Sequence, residues 1–123
     1  YSGIPCSVAA GLAMQDIIEK EDLINRSKEM SPYFLDGLFT LKDIDGVTDI
    51  RGYGMMGGID LLMDERPGKA GYNCFKSLFA AGLSLKATGD CLIVAPPFIS
   101  EKKHIDEMIE KLRTGITNYF KEK

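Results

Sequence analysis

Apolar residues recur at helical spacing in four stretches of the chain, and shorter stretches between them alternate with polar residues or run continuously apolar. The helical spacing predicts helices over residues 6–20, 23–42, 71–81 and 101–120. The shorter patterns predict strands over residues 47–51, 59–63, 83–88 and 92–94. This order of elements favours an α+β fold, in which a small, mainly antiparallel sheet of about four strands carries helices packed on one face.

The last two predicted strands form a hairpin bounded by residues that stop regular structure. Gly82 suits the left-handed position just after a helix, and Pro96 cannot continue a central strand. Leu83 and Leu85 alternate with polar residues, among them Lys86, at the period of a half-buried strand. Because successive side chains of a strand point to opposite faces, Lys86 is expected on the face that does not contact the helices.

The first three predicted helices carry features that should set their packing. Residues 6–20 are apolar nearly all round, so this helix is expected to be covered on more than one side. Pro32 lies within the second helix and should kink or restart it, because proline lacks the N–H that the helical ladder needs. Tyr72, Phe75 and Phe79 lie at helical spacing in the third helix and are expected to contact the core.

The last helix has the clearest amphipathic pattern in the chain. Ser100 is a natural N-cap for it. Its apolar stripe consists of Ile105, Met108, Ile109, Leu112, Ile116, Tyr119 and Phe120. His104 lies beside the stripe, and we interpret it as a partly exposed surface residue rather than a catalytic one.

Charged residues are expected on the sheet face that the helices leave open. By strand alternation, Asp49, Arg51 and Asp60 share this face with Ser84 and Lys86. Arg51 should form an ion pair there with Asp49 or with Asp60.

Four glycines fall within residues 52–58, and two interpretations of them differ in function. A loop that cradles phosphate needs its glycines followed directly by a helix N-terminus. Here a predicted strand follows instead. We therefore interpret the glycines as turn and bulge residues between two strands.

Composition narrows the classes of function. The chain has 123 residues, one domain's length, with a net charge of -3 and a pI near 5.1, so it presents no basic field for nucleic acid or an anionic membrane. Its apolar runs are shorter than the roughly 20 residues of a membrane span. Cys6, Cys74 and Cys91 lack the spacing of a metal or disulfide framework, which favours reduced thiols, a cytoplasmic location and no metal site.

Several motifs become more specific when their order and spacing are taken together. They are Tyr1-Ser2-Gly3-x-Pro5, Asp49-Ile50-Arg51-Gly52-x-Gly54 before Gly58-Ile59-Asp60-Leu61, Pro67-Gly68-Lys69 with Gly71-Tyr72, Gly82-Leu83 to Gly89-Asp90, Ala95-Pro96-Pro97, and Glu101 to Asp106. In this arrangement, the whole chain (1–123) resembles the C-terminal small domain of class III, or omega-amino acid, aminotransferases. These are pyridoxal-phosphate (PLP) enzymes of fold type I.

The resemblance implies transamination, in which an amino group moves from an omega-amino acid or amine to a keto acid. It implies a small domain of the PLP-dependent transferase type, whose partners are a large catalytic domain and a second subunit of a homodimer or higher oligomer. The Schiff-base lysine of such enzymes lies in the large domain, so the chain alone is expected to be inactive and not to bind PLP stably. Its start without Met also suggests a segment of something longer.

The resemblance also implies site residues. Tyr1, Ser2 and Gly3 would lie near the phosphate of the neighbouring subunit's cofactor. Lys86 stands where many members carry an arginine that receives the substrate carboxylate; a lysine offers a compact charge instead of a planar fork. Alternatively, Lys86 is an exposed strand residue without a ligand. The chain supplies no catalytic residue in this interpretation.

A different class of function fits the same pattern. A self-contained α+β module could bind a small acid or a partner on the open sheet face and act as a binding or regulatory protein. Such a module should be a monomer with a sharp unfolding transition, whereas a fragment should expose its apolar first helix and self-associate. A lone enzyme with Lys86 as nucleophile is a weaker alternative, since no neighbouring group is predicted to lower its pKa.

Overall fold

Two helices open the chain in the computed structural model, which describes residues 2–121. Helix α1 spans Pro5–Lys20 and helix α2 spans Leu23–Phe39, followed by a 3₁₀ turn at Thr40–Asp43. Helix α2 runs through Pro32, so the predicted restart is wrong. Pro32 is exposed, and water can solvate the carbonyl group that it leaves without a donor.

The strands form one antiparallel sheet. They are β1 (Val47–Tyr53), β2 (Met56–Leu61), β3 (Lys86–Thr88) and β4 (Cys91–Val94), in the spatial order β1-β2-β4-β3. All three neighbouring pairs are antiparallel, and helices cover one face. The predicted α+β architecture with four strands is therefore confirmed.

The glycine-rich segment lies mostly within the first hairpin rather than in a loop. Gly52 belongs to β1, and Gly57 and Gly58 belong to β2, so our interpretation of these three as turn and bulge residues is wrong. A side chain at Gly52 would overlap Leu35, and one at Gly57 would overlap Leu38. The glycines are needed because helix α2 lies directly on this part of the sheet.

The second hairpin is shorter than its alternation predicts. Strand β3 begins only at Lys86, because Leu83 and Leu85 pack against the core without joining the ladder. Gly82 has φ +81° after helix α3 (Lys69–Ala80), as predicted for a helix end. The Leu83 N–H returns to the Leu78 carbonyl at 2.9 Å, which keeps the chain close to α3 at this point.

The core lies between the sheet and helices α2, α3 and α4. Helix α4 spans Lys102–Lys121 and buries Ile105, Met108, Leu112 and Ile116 of its predicted stripe. Its N-terminus is not where the sequence indicates. The Glu101 carbonyl accepts the first helical hydrogen bonds, so Glu101 takes the N-cap position and Ser100 lies buried before it.

Helix α3 turns a different side to the core than its aromatic spacing predicts. Tyr72 and Phe79 are 57% and 62% exposed, so the expected core contact is wrong for these two, and Phe75 is only half-buried. Cys74 and Leu78 are buried instead. On the side that faces the second hairpin, helix α3 lies too close to the hairpin for large side chains. The contact of Gly71 with the hairpin tip, described below, shows this.

Helix α1 has no packed side within the described part of the chain. None of Pro5–Lys20 is buried, and Val8 and Leu12 are 52% and 65% exposed. Its main contacts are with α2. The apolar sequence predicts cover on more than one side, and residues 2–121 do not supply that cover.

Candidate functional site

The candidate site is the sheet face opposite the helices. The register aligns Arg51 with Gly58, Gly58 with Ile93, and Ile93 with Lys86, so these four residues form one row across all four strands. The next row aligns Asp49, Asp60, Cys91 and Thr88. The predicted placement of the charged strand residues on this face is confirmed.

Arg51 is the most constrained side chain of this face. Its guanidinium makes a two-point contact with the Asp60 carboxylate, and Nη2 donates to Asp60 Oδ1 at 3.0 Å. Nη1 also donates to Asp49 Oδ2 at 3.3 Å, and Nη2 lies 3.6 Å from Cys91 Sγ. Sequence reasoning named Asp49 or Asp60 as the partner, and the structure shows both.

These contacts shift the ionisation of the groups around Arg51. The hydrogen bonds from Arg51 lower the pKa of the Asp60 carboxyl, and Asp60 in turn raises the pKa of Arg51. Burial, followed by the hydrogen bond and charge of Asp60, raises the pKa of the Cys91 thiol. At neutral pH the Asp60 carboxyl and the Arg51 guanidinium are thus both ionised, and the Cys91 thiol is protonated.

A shallow groove of about 630 Å³ runs along this face. It passes over the row of Arg51, Gly58 and Ile93, and Tyr53 and Met56 of the first hairpin form one end. Tyr53 is 92% exposed. The groove is mainly apolar apart from Arg51 and Cys91.

Lys86 lies on the opposite edge of the same face. It is exposed and stands directly across from Ile93. Among residues 2–121, its ammonium has no carboxylate within ion-pair distance, in contrast to Arg51. A small anion that reaches the open face would therefore find Lys86 free to receive it.

Asp90 fixes the hairpin that carries Lys86. Its carboxylate accepts the Gly68 N–H at 2.8 Å and the Gly71 N–H at 3.2 Å, both at the start of α3. A side chain at Gly71 would overlap the Gly89 carbonyl oxygen, so helix and hairpin tip are in direct contact. Sequence reasoning treated Asp90 only as a turn residue. The glycines at both ends of this contact were the available signal.

The N-terminal loop contains the other predicted contact residues. Ser2 and Gly3 are exposed, and Gly3 has φ +77° with open space around its Cα. Backbone N–H groups just before a helix can donate hydrogen bonds to an anion. Tyr1 lies outside the described residues.

Other chemistry finds less support in the described part of the chain. His104 is exposed, and its Nδ1 accepts the Glu101 N–H at 3.1 Å, as expected of a surface histidine. Among residues 2–121, no three His, Cys, Asp or Glu side chains are arranged so that they could hold a metal ion. Within the same range, no helix has the length and apolarity to cross a membrane.

Solved structures identify the class of protein to which this fold belongs. The chain superposes on part of a transaminase variant solved with SMBA, with a TM-score of 0.91 and 27% identity over 98% of this chain and 30% of the other. An adenosylmethionine-8-amino-7-oxononanoate aminotransferase from Methanocaldococcus jannaschii gives a TM-score of 0.80 and 32% identity, over 89% of this chain and 26% of the other. The fold is that of a transaminase segment.

Sequence comparison narrows the class to a family. Residues 1–116 match the model of class-III aminotransferases, and the chain belongs to this family. It is 37% identical to an omega-aminotransferase of Caulobacter vibrioides over 92% of this chain and 26% of that protein. An ornithine aminotransferase of Staphylococcus carnosus is 35% identical over 92% of this chain. The chain thus spans about a quarter of the length of these relatives.

Proposed function

We propose that this chain is the C-terminal small domain of a PLP-dependent aminotransferase that moves an amino group from an omega-amino acid or amine to a keto acid in the cytoplasm. The observation that carries the proposal is the family match over residues 1–116. The names of relatives, which include a beta-alanine–pyruvate aminotransferase of Pseudomonas aeruginosa, support the omega-amino acid class. The free thiols of Cys6, Cys74 and Cys91 fit the proposed location.

Lys86 receives the substrate carboxylate in this proposal. Its exposure, its place beside the groove and its lack of a carboxylate partner within residues 2–121 support that role. Arg51 is already held by Asp49 and Asp60. An ammonium is a point charge without the fixed fork of arginine, so the carboxylate is held with less directional constraint.

The N-terminal loop contacts the cofactor phosphate of a neighbouring subunit. The backbone of Ser2 and Gly3, with Tyr1 before them, supplies the contact, and the exposed loop geometry of Ser2 and Gly3 supports it. PLP stabilises negative charge at the substrate carbon when it is bound. This chain supplies positioning for that chemistry, and the lysine that holds the cofactor covalently belongs to the large domain.

Helix α1 docks against the large domain and a second subunit. Its apolar sequence and its lack of any buried residue support this assignment. An isolated helix with this much exposed apolar surface would favour association with another surface. The same feature argues against the alternative of a self-contained binding module.

One experiment tests the domain assignment. The isolated chain is mixed with PLP, and the absorbance spectrum and transaminase turnover are measured against the full-length protein. We expect no stoichiometric visible band and no turnover from the isolated chain. A specific band together with turnover would contradict the proposal that the reactive machinery lies elsewhere.

A second experiment tests the role of Lys86 in the full-length protein. Lys86→Met should raise the KM for a carboxylate-bearing amino donor about tenfold or more, because it removes a charge-assisted hydrogen bond. The KM for a neutral amine should stay within about twofold of the wild-type value, since no charge is lost from that complex. Equal changes for both donors would contradict a carboxylate contact.

A further inference from the structure

The open sheet face carries two carboxylates that lie opposite each other. Asp49 of β1 and Asp60 of β2 are register partners, a position in which like charges repel. Arg51 contacts both carboxylates and so offsets one of their two negative charges. The three side chains together carry a net charge of about -1 at neutral pH.

Arg51 packs over Gly58. Its Cγ and Cζ lie 3.7 and 3.8 Å from the point that a Cβ at position 58 would occupy, which are ordinary contact distances. The guanidinium is therefore held against the sheet and directed toward Asp60 and Cys91. Both terminal nitrogens, Nη1 and Nη2, donate to carboxylates of its own chain.

Lys86 lies in the same row as Arg51, three strand spacings away, or about 14 Å between backbones. At low ionic strength, charges at that distance still interact, because the Debye length at 0.01 M salt is about 30 Å. Without Arg51, the two carboxylates would carry a charge of about -2 on the face that an anion must approach.

We propose that Arg51 is a positioning residue that holds Asp49 and Asp60 and thereby limits the negative charge around Lys86, so that a monocarboxylate ligand can bind there. The inference rests on the proposed carboxylate-binding role of Lys86. Arg51 does not touch the ligand, and it acts only through the charge of the face.

The experiment measures dissociation constants by calorimetry on the full-length protein at low ionic strength. The probes are butanoate and its neutral analogue butanamide. Arg51→Met makes the cluster more negative by one charge, and Asp49→Asn makes it less negative by one. Asp49 is more than half exposed, so this variant should fold normally even if Arg51→Met does not.

The expected order of butanoate affinity is Asp49→Asn, then wild type, then Arg51→Met. From one protein to the next in this order, the dissociation constant of butanoate should rise by about two- to sevenfold. About 0.5 M salt should abolish the differences. Butanamide binding should be equal in all three proteins. Because structural damage would affect both probes and persist in salt, such a pattern would overturn the inference, as would unchanged butanoate binding in Asp49→Asn.

Lys86→Met separates this inference from the function on which it rests. If Lys86→Met weakens butanoate binding while the two charge variants do not alter it, Lys86 binds the carboxylate and the role of Arg51 is wrong. If Lys86→Met leaves butanoate binding unchanged, the carboxylate-binding role of Lys86 itself fails, and the inference fails with it.

Discussion

Single side chains differ in how far the sequence reveals their role. The pairing of Arg51 was predictable, because Asp49 is two residues away on the same strand and Asp60 lies on the neighbouring one. The role of Asp90 was not. Its partners are the backbone N–H groups of Gly68 and Gly71, which are 22 and 19 residues distant in the chain. The glycines signal that the two segments approach closely, but no local pattern names the side chain that joins them.

Asp60 should make stability depend on pH. Its pKa is lowered by Arg51, so its contribution is complete above the unfolded value of about 3.9 and is lost as the pH falls through the lower folded value. The free energy of unfolding of Asp60→Asn should therefore lie furthest below wild type near pH 7, and the gap should shrink below about pH 4. Urea unfolding across this pH range measures the gap.

A non-titrating control accompanies that measurement. Thr88→Ala changes a residue in the same row of the open face without removing a titrating group. Its difference from wild type should be constant across the pH range. A constant difference for Asp60→Asn as well would show that the ion pair with Arg51 does not operate.

Asp90→Ala should destabilise the protein by about 1–2 kcal/mol, because two backbone donors at the start of α3 lose their acceptor. Asp90→Asn keeps one accepting oxygen and should lose less. Urea unfolding of both variants tests whether the Asp90 carboxylate holds the hairpin to the start of α3. A loss in Asp90→Asn as large as that in Asp90→Ala would point to charge rather than hydrogen bonding.

Whole elements were predicted best where one side of a helix is uniformly apolar. The stripe of α4 packs against the core as expected, with four of its seven residues buried and the other three partly buried, because only one of its sides can face the core. Helix α3 offers two apolar sides, one aromatic and one of small residues, and spacing does not decide between them. The close contact of Gly71 with the hairpin tip selects the small side, so the aromatic residues point outward.

Two glycine substitutions test this view of element packing. Gly71→Ala should cost about 1–3 kcal/mol of unfolding free energy, since its side chain would overlap the Gly89 carbonyl oxygen. Gly11→Ala lies inside α1 with open space around it and should gain about 0.5–1 kcal/mol from reduced backbone entropy. Urea unfolding of the two purified variants and the wild type measures these changes in unfolding free energy. If Gly71→Ala gained stability as Gly11→Ala is expected to, the contact at Gly71 would be shown to tolerate a methyl group.

At the scale of the whole molecule, the described chain has a well-packed centre and an uncovered helix. The centre follows from apolar periodicity, which the sequence displays in full. Residues 2–121 do not cover α1, and the sequence indicates only that cover is needed. The role of the open sheet face likewise depends on the ligand or surface that contacts it.

Leu12→Gln tests the exposure of α1. Leu12 is 65% exposed, so the substitution should change the unfolding free energy of the isolated chain by less than about 0.5 kcal/mol. It should reduce self-association of the isolated chain, measured by sedimentation or light scattering. Asp16→Asn, a polar substitution on the same helix, should not reduce it. Unchanged self-association in Leu12→Gln would contradict the hypothesis that the exposed apolar surface of α1 drives it.

The attachment of α1 mainly through α2 has a further consequence for amide protons. A helix without buried side chains can open while the sheet stays closed, so its opening free energy falls far below that of global unfolding. When the isolated chain is placed in deuterated water, the amides of residues 6–20 should exchange early and those of β2 and β4 late. The slowly exchanging amides mark the part of the chain that unfolds as one cooperative unit.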